Sequence, residues 1–178
     1  AGVFGDVGRD PRGWIVSNTF LALVDGKECD IRPGHKVREA GWFSIVLEKV
    51  SEEKDVLETK ANIVTEYQLI LQAEELDVSP RAKIKEYKQF ANYHESVHYE
   101  IVECEGIAFD HAKLILHSLL YLRKNVENDF KLGFDLLPET FTLTQLQNAF
   151  ELVLNKPLLA ANFRRKVSEY VIETEQVI

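Results

Sequence analysis

Methionine is missing from all 178 residues, position 1 included, and cysteine occurs only as Cys29 and Cys104. Two thiols so far apart exclude a metal knuckle and do not define a disulfide framework, so they read as buried or free thiols in a reducing compartment. Absent as well is any apolar run near the ~20 residues that span a bilayer, and no charged stretch leading into an apolar one opens the chain. A cytoplasmic protein with no membrane partner is expected. Positive charge is scarce: 21 Lys and Arg face 29 Asp and Glu, a formal net charge of -8. This excludes broad attraction to nucleic acid, which needs a surplus of cations, so any DNA contact must come from a small local patch. With no initiating residue and an opening Ala1-Gly2-Val3-Phe4 that enters in mid-strand, the chain reads as a fragment. What is present, 46% hydrophobic and 28% charged residues, excludes a disordered tail, and the length accommodates two small domains.

Periodicity organises the first two thirds as strands. From Trp14 to Val24 apolar side chains fall on both faces, which predicts a central strand covered on both sides. Before it, Gly5-Asp6-Val7-Gly8-Arg9-Asp10-Pro11-Arg12-Gly13 is dense in turn formers and reads as a loop. A second loop runs from Asp25 to Gly34, and a strand over Ala40–Val46. Ile63 to Ala73 alternates, with Ile63, Tyr67, Leu69 and Leu71 opposite Glu66, Gln68 and Gln72, as a half-buried strand does. Val97, Tyr99 and Ile101 alternate in the same way, which predicts that these two segments pair, with 76–92 an excursion favouring strand over helix.

Helical spacing then takes over. Asp110 offers an N-cap, and Ile115, Leu116, Leu119, Leu120 and Leu122 form an apolar stripe ending in Arg123-Lys124, suited to the negative end of a helix dipole. A break around Asn125 to Lys131 marks the domain boundary. Thr142 and Gln145 then form a capping box ahead of Leu143, Leu146, Phe150 and Val153, until Asn155-Lys156-Pro157 stops the helix. A second helix starts near Leu159 with Leu159, Phe163, Val167 and Tyr170 inward, Ala161, Asn162, Arg165 and Ser168 outward, and Arg164 and Lys166 on the flanks. Two short helices about a proline-bearing turn match a helix-turn-helix.

The run Phe4-Gly5-Asp6-Val7-Gly8-Arg9-Asp10-Pro11-Arg12-Gly13-Trp14 resembles the segment after the catalytic helix in a branch of the Nudix family that includes NrtR-like transcriptional regulators. Glu39-Ala40-Gly41-Trp42-Phe43 resembles that family's tryptophan-bearing strand, and Ile107 to Ala112 the start of its last helix. Leu136-Leu137-Pro138-Glu139-Thr140-Phe141-Thr142-Leu143-Thr144-Gln145-Leu146-Gln147 resembles the opening of the appended winged helix, and Asn162-Phe163-Arg164-Arg165-Lys166 its recognition helix. The resemblance implies an α+β chain. Residues 1–128 would be part of a Nudix-like α/β/α sandwich, with a mixed sheet and closing helix, and 129–178 a winged helix-turn-helix with its wing cut short after Ile172. It also implies ligand-controlled repression by a homodimer, with an ADP-ribose-like or sugar-phosphate effector and operator DNA as partners. The glutamate box that holds Mg2+ in Nudix hydrolases, G-x5-E-x7-R-E-x2-E-E, does not occur in these residues, and the stretch from Glu74 to Tyr93 is longer and more polar than the family pattern. No cofactor is expected in this chain, and Mg2+ only where an upstream box is intact.

Residue by residue, Arg9, Asp10, Arg12, Gly13 and His111 are the candidate ligand contacts: a guanidinium fork suits a phosphate, and a helix start favours anions. The plainer alternative is an Asp-Pro turn whose arginines pair with neighbouring acids, with Asp110-His111 serving the helix cap. Thr142, Gln145, Asn162, Arg164, Arg165 and Lys166 are the candidate DNA contacts, Asn162 by adenine reading, against the alternative of a solvated basic face. His94, His98 and His117 show no metal spacing, no nucleophilic triad is evident, and no catalytic residue is assigned. The rival functions are a Nudix hydrolase of the ADP-ribose pyrophosphatase type, whose C-terminal helices serve dimerisation, and a protein-interaction module that reuses the winged helix.

Overall fold

The computed structural model describes residues 1–24, 29–35, 37, 39–91 and 93–174. Its elements are β1 (Gly2–Phe4), β2 (Ser17–Thr19), β3 (Ser44–Leu57), β4 (Lys60–Gln72), β5 (Arg81–Ala91), β6 (His94–Glu105), α1 (His111–Asn128), a 3₁₀ helix (Phe130–Leu136), α2 (Leu143–Leu154) and α3 (Ala160–Val167). The fold is α+β. By compactness the described residues form two units, one drawn from Phe4–Ser17 and Ile31–Leu116, the other from Ala1–Val3, Asn18–Asp30 and His117–Ile178.

In the first unit the sheet is a four-stranded antiparallel meander in the order β3-β4-β5-β6. Leu47 on β3 pairs with Leu69 on β4, which pairs with Ala82 on β5, and these three with Ile84 are the buried apolar set of the sheet. Because alternate side chains share a face, the same register aligns Tyr67, Thr65, Glu86, Lys88 and Tyr99 further along that face. There the buried Glu86 accepts a 2.6 Å hydrogen bond from the Tyr99 hydroxyl and lies 3.3 Å from Lys88 Nζ. The opposite face is ionic: Glu66 faces Lys83 and Lys85, each at 3.4 Å, and Tyr87 donates to Glu100.

Several expectations are corrected here. The segment Trp14–Val24 is not a strand covered on both sides. Only Ser17–Thr19 is extended and paired, with β1, while Trp14 and Phe20 are 75% and 88% exposed. An apolar run on both faces reports that a strand needs cover, and among the described residues only Ile15, Ser17, Thr19 and Leu23 of this segment are half-buried. The tryptophan-bearing strand starts at Ser44, beyond Trp42, and continues through ten mostly charged, exposed residues to Leu57 that carry no regular apolar alternation. β6 pairs with β5, not with β4, because Arg81–Ala91 is a strand inserted between them. The expected mixed sheet is antiparallel at every one of these pairings. The loop expected over Asp25 to Gly34 lies outside the described residues at Asp25 to Glu28, and so does Asn92 at the end of the 76–92 segment.

The second unit closes on an aromatic core. Val126, Leu146, Phe150, Val153, Phe163 and Val167 form its buried cluster. Phe130 stacks on Phe150 at 4.1 Å between centroids, and Phe163 meets Phe150 edge-on at 5.4 Å. Gly133 is buried in the 3₁₀ helix, where an added Cβ would fall within the Phe150 ring, so only glycine lets that backbone approach. α1 runs past the expected break to Asn128, which moves Arg123 out of the last turn. Arg123 Nε instead donates to the carbonyl of Val153 at 2.8 Å, satisfying an orphan acceptor at the end of α2. After α3 no strand follows among the described residues, and any wing beyond Thr174 lies outside them.

Candidate functional site

Two places hold the candidate residues, one in each unit. In the first, the loop before β2 is built from tight turns. Arg9 N donates to Asp6 O and Gly13 N to Asp10 O, each at 3.3 Å, so Asp10-Pro11-Arg12-Gly13 is a turn with Asp first, Pro second and Gly last, where each is favoured. Gly13 closes it at a φ of 150° with open space where a side chain would be.

The arginines of this loop are committed to carboxylates. Arg9, with its side chain 6% exposed, grips Asp110 with both prongs, Nε to Oδ2 at 2.7 Å and Nη2 to Oδ1 at 2.9 Å. Its Nη1 donates to Ile15 O and to Ser17 Oγ. The Asp110 carboxylate, expected to cap α1, is therefore spent on Arg9, while its backbone carbonyl accepts from Leu114 N. This partnership raises the Arg9 pKa further. Arg12 binds the buried Asp10 through Nε at 2.9 Å, Nη2 at 2.6 Å and its backbone N at 2.9 Å. Those hydrogen bonds from the Arg12 side chain and backbone hold the Asp10 carboxyl at about 2. Lys113, on the first turn of α1, pairs with Asp6 and lowers its pKa through that hydrogen bond.

The exposed remainder is a short stack. Arg12 lies 5.6 Å from the centroid of the Phe109 ring, and His111 meets the same ring edge-on at 6.1 Å. The structure thus draws Arg9, Asp10, Arg12, Gly13 and His111 to the start of α1, with Arg12 and His111 presented outward. A cleft of about 400 Å³ lies beside them, lined by His98–Cys104 of β6 and by Phe109, Asp110, Ala112 and Lys113. None of the five expected contacts lines it. Phe109, the residue joining Arg12 to His111, was missed because an isolated aromatic before a cap carries no periodic signal. Among the described residues no group of three or more His, Cys, Asp or Glu is arranged to hold a metal ion, and Cys29 and Cys104 are free thiols.

The second place is the helix pair. Thr142 and Gln145 do form the reciprocal capping box: Gln145 N donates to Thr142 Oγ1 at 3.1 Å, and Thr142 N to Gln145 Oε1 at 2.8 Å. Both side chains are exposed, with these polar groups already engaged. α2 ends on Asn155 in the left-handed conformation, and α3 starts after Leu159. Between them is a clasp that sequence reading missed. Glu151 accepts from Gln147 Nε2 at 2.9 Å and from Leu158 N at 2.8 Å, while Gln147 Nε2 also reaches Leu158 O at 3.0 Å. The hydrogen bond from Gln147 is the main reason the Glu151 carboxyl titrates lower than usual. The Gln147–Glu151 spacing of one helical turn was its only sequence signal.

On α3, Phe163 and Val167 are buried and Ala161, Asn162, Arg164, Arg165, Lys166 and Ser168 are exposed. Among the described residues the side chains of Asn162, Arg164 and Arg165 make no hydrogen bond or ion pair. Lys166 differs, with its ammonium 4.2 Å from the centroid of the Phe130 ring. Of the inward residues expected, Leu159 is instead 75% exposed, while Tyr170, 46% exposed, sets its ring 6.3 Å from Phe130 and 6.2 Å from Phe134. Leu159 and Tyr170 flank the helix at its ends, beyond the turn that packs on Phe150.

Comparison with known proteins bears on this geometry. Residues 133–178 match the family model of the NrtR DNA-binding winged helix domain. Over 174 residues the chain is 36% identical to the ADPR responsive transcriptional repressor NtrR of Acinetobacter baylyi, an alignment covering 97% of this chain and 47% of that protein. The chain therefore spans about half the length of the curated relative it matches. No solved structure matches it. The matched segment begins at Gly133, the residue fitted against Phe150, and holds both helices of the capped pair. Residues 133–178 are thus similar to the NrtR winged helix domain, and over almost its whole length the chain is similar to a repressor of that kind.

Proposed function

We propose that this chain is part of a ligand-responsive transcriptional repressor, in which a Nudix-like domain senses an ADP-ribose-like or sugar-phosphate metabolite and the winged helix binds operator DNA. The observation that carries the DNA half is α3 itself. It hides Phe163 and Val167 while holding Asn162, Arg164 and Arg165 outward and free of partners among the described residues. An acidic protein gains little from non-specific attraction, so base contacts by Arg165 and Asn162 provide much of the affinity. Phosphate contacts by Arg164 and by the N-terminal turn of α2, near Thr142 and Gln145, fix the register. In this reading two copies present their α3 helices to half-sites about one DNA turn apart.

The effector half is supported by the gathering of Arg12, Phe109 and His111 at the start of α1 and by the ADPR response for which the relative is named. The Arg12 guanidinium and the helix start suit a diphosphate, and the exposed Phe109 ring suits a base or ribose face.

The test is a selection of the protein on random-sequence duplex DNA, followed by titration of the enriched duplex. Arg165→Ala is expected to lower affinity roughly 10- to 100-fold and to relax the preference at one base position, the effect of one bidentate base contact. Added ADP-ribose is expected to shift the binding curve, and to do so less for Arg12→Ala. Enrichment of no sequence by the unsubstituted protein would defeat the regulator reading.

A further inference from the structure

α3 ends in three consecutive cations, Arg164, Arg165 and Lys166, which a sequence alone presents as one basic triplet. The geometry divides them. Successive residues are about 100° apart around a helix, so with Phe163 and Val167 directed into the core, Arg165 points away from it and Arg164 and Lys166 lie on opposite flanks. The Lys166 flank faces the 3₁₀ helix, where its ammonium sits over the Phe130 ring, well inside the ~6 Å reach of a cation–π contact. Phe130 is itself held face to face on Phe150 and lies 5.8 Å from Phe163. Lys166 thus rests on the aromatic stack that forms the core of its unit. It also lines, with Phe130 and Asn162, a cleft of about 460 Å³. Asn162 stands one turn before Lys166 on the same side of α3, so whatever fixes Lys166 fixes the rotation at which Asn162 is offered.

We propose that Lys166 is a positioning residue that clamps the recognition helix to the 3₁₀ helix through the face of Phe130, so that of the triplet Arg164 neutralises a DNA phosphate, Arg165 reads a base edge and Lys166 touches neither. This rests on the DNA-binding reading above. A lysine engaged with a ring inside the protein releases no counterion from DNA. A residue that touches phosphate does, and removing it flattens the dependence of affinity on salt.

The experiment measures affinity against salt concentration on a fluorescent duplex recovered by the random-sequence selection. Arg164→Ala is expected to reduce the slope of log affinity against log salt by about 0.9. Lys166→Met is expected to weaken binding roughly 2- to 5-fold at every salt concentration with the slope unchanged, and Lys166→Arg to restore it. A fall of about 0.9 in the slope for Lys166→Met overturns the proposal and leaves the DNA-binding reading intact. Without DNA, a thermal-unfolding cycle of Lys166→Met and Phe130→Leu is expected to be non-additive. Strict additivity overturns the clamp even if no sequence is enriched, an outcome that defeats the DNA-binding reading separately.

Discussion

Phe130, Phe150 and Phe163 near one end of the chain stack against one another with Gly133 fitted beneath, whereas Trp14 and Phe20 near the other end stand largely in solvent. Both regions are rich in apolar residues, so apolar content does not separate them. Spacing does. In the C-terminal helices the apolar side chains recur every three or four residues, and each helix offers one stripe that its neighbours can close over. Around β2 they fall on both faces, and a strand of that kind is covered only by layers from elsewhere. A self-sufficient core and an unsatisfied surface thus coexist in one sequence.

The comparison breaks most sharply at Phe150. Phe150→Ala should cost about 3–5 kcal/mol, the loss of a fully buried aromatic with its cavity, whereas Phe20→Ala should be nearly neutral to stability; urea unfolding of both variants decides it. Gly133→Ala alone should cost about 1–3 kcal/mol by overpacking, and much less in the Phe150→Ala background, where the ring it would strike is gone. A smaller effect belongs to the cap: Thr142→Ala should remove about 1 kcal/mol, with Thr142→Ser retaining most of it, read by the same unfolding curves.

The smallest effect sharpens the contrast from the loop side. The folded Asp10 carboxyl titrates at about 2, below its ordinary 3.8. A depressed carboxylate pKa contributes stability that is present above the unfolded value and is lost as pH falls from there toward about 2. The melting temperature should therefore decline over that window, and Asp10→Asn should flatten the decline. An unchanged pH profile in that variant would show that the Arg12 pairing contributes nothing to folding.

What was legible in the sequence was local. The Thr142–Gln145 capping box, the stop at Asn155 and the Phe163–Val167 stripe of α3 were all readable, because each depends on residues within one or two helical turns. The alternation over Ile63–Ala73 located β4 for the same reason. Strand was favoured over helix for 76–92, as β5 is, but its place between β4 and β6 was obscured because its inward row includes Glu86 and Lys88, polar residues satisfied by Tyr99 and by each other, which breaks the apolar alternation. The outer half of β3 was silent because a strand exposed on both faces has no pattern to show. At the candidate sites the pairing of Arg12 with Asp10 follows the alternative of an Asp-Pro turn whose arginines meet neighbouring acids, but the partners distant in sequence were not legible. Arg9 looked available until Asp110, 101 positions away in sequence, engaged both prongs of its fork, and Lys166 looked like its two neighbours until Phe130 lay beneath it.

β3 and β6 form the two margins of the meander, 14 and 12 residues long, and each has a register irregularity, between Lys49 and Ser51 on β3 and opposite Lys83–Ile84 on β6. Bare margins of that length are templates on which further chains add, and ionic side chains and bulges are the devices that discourage it. The Glu, Lys and Asp residues from Glu48 to Asp55, which gave no sign of a strand, are on this view what keeps one molecule from extending into a fibril with the next.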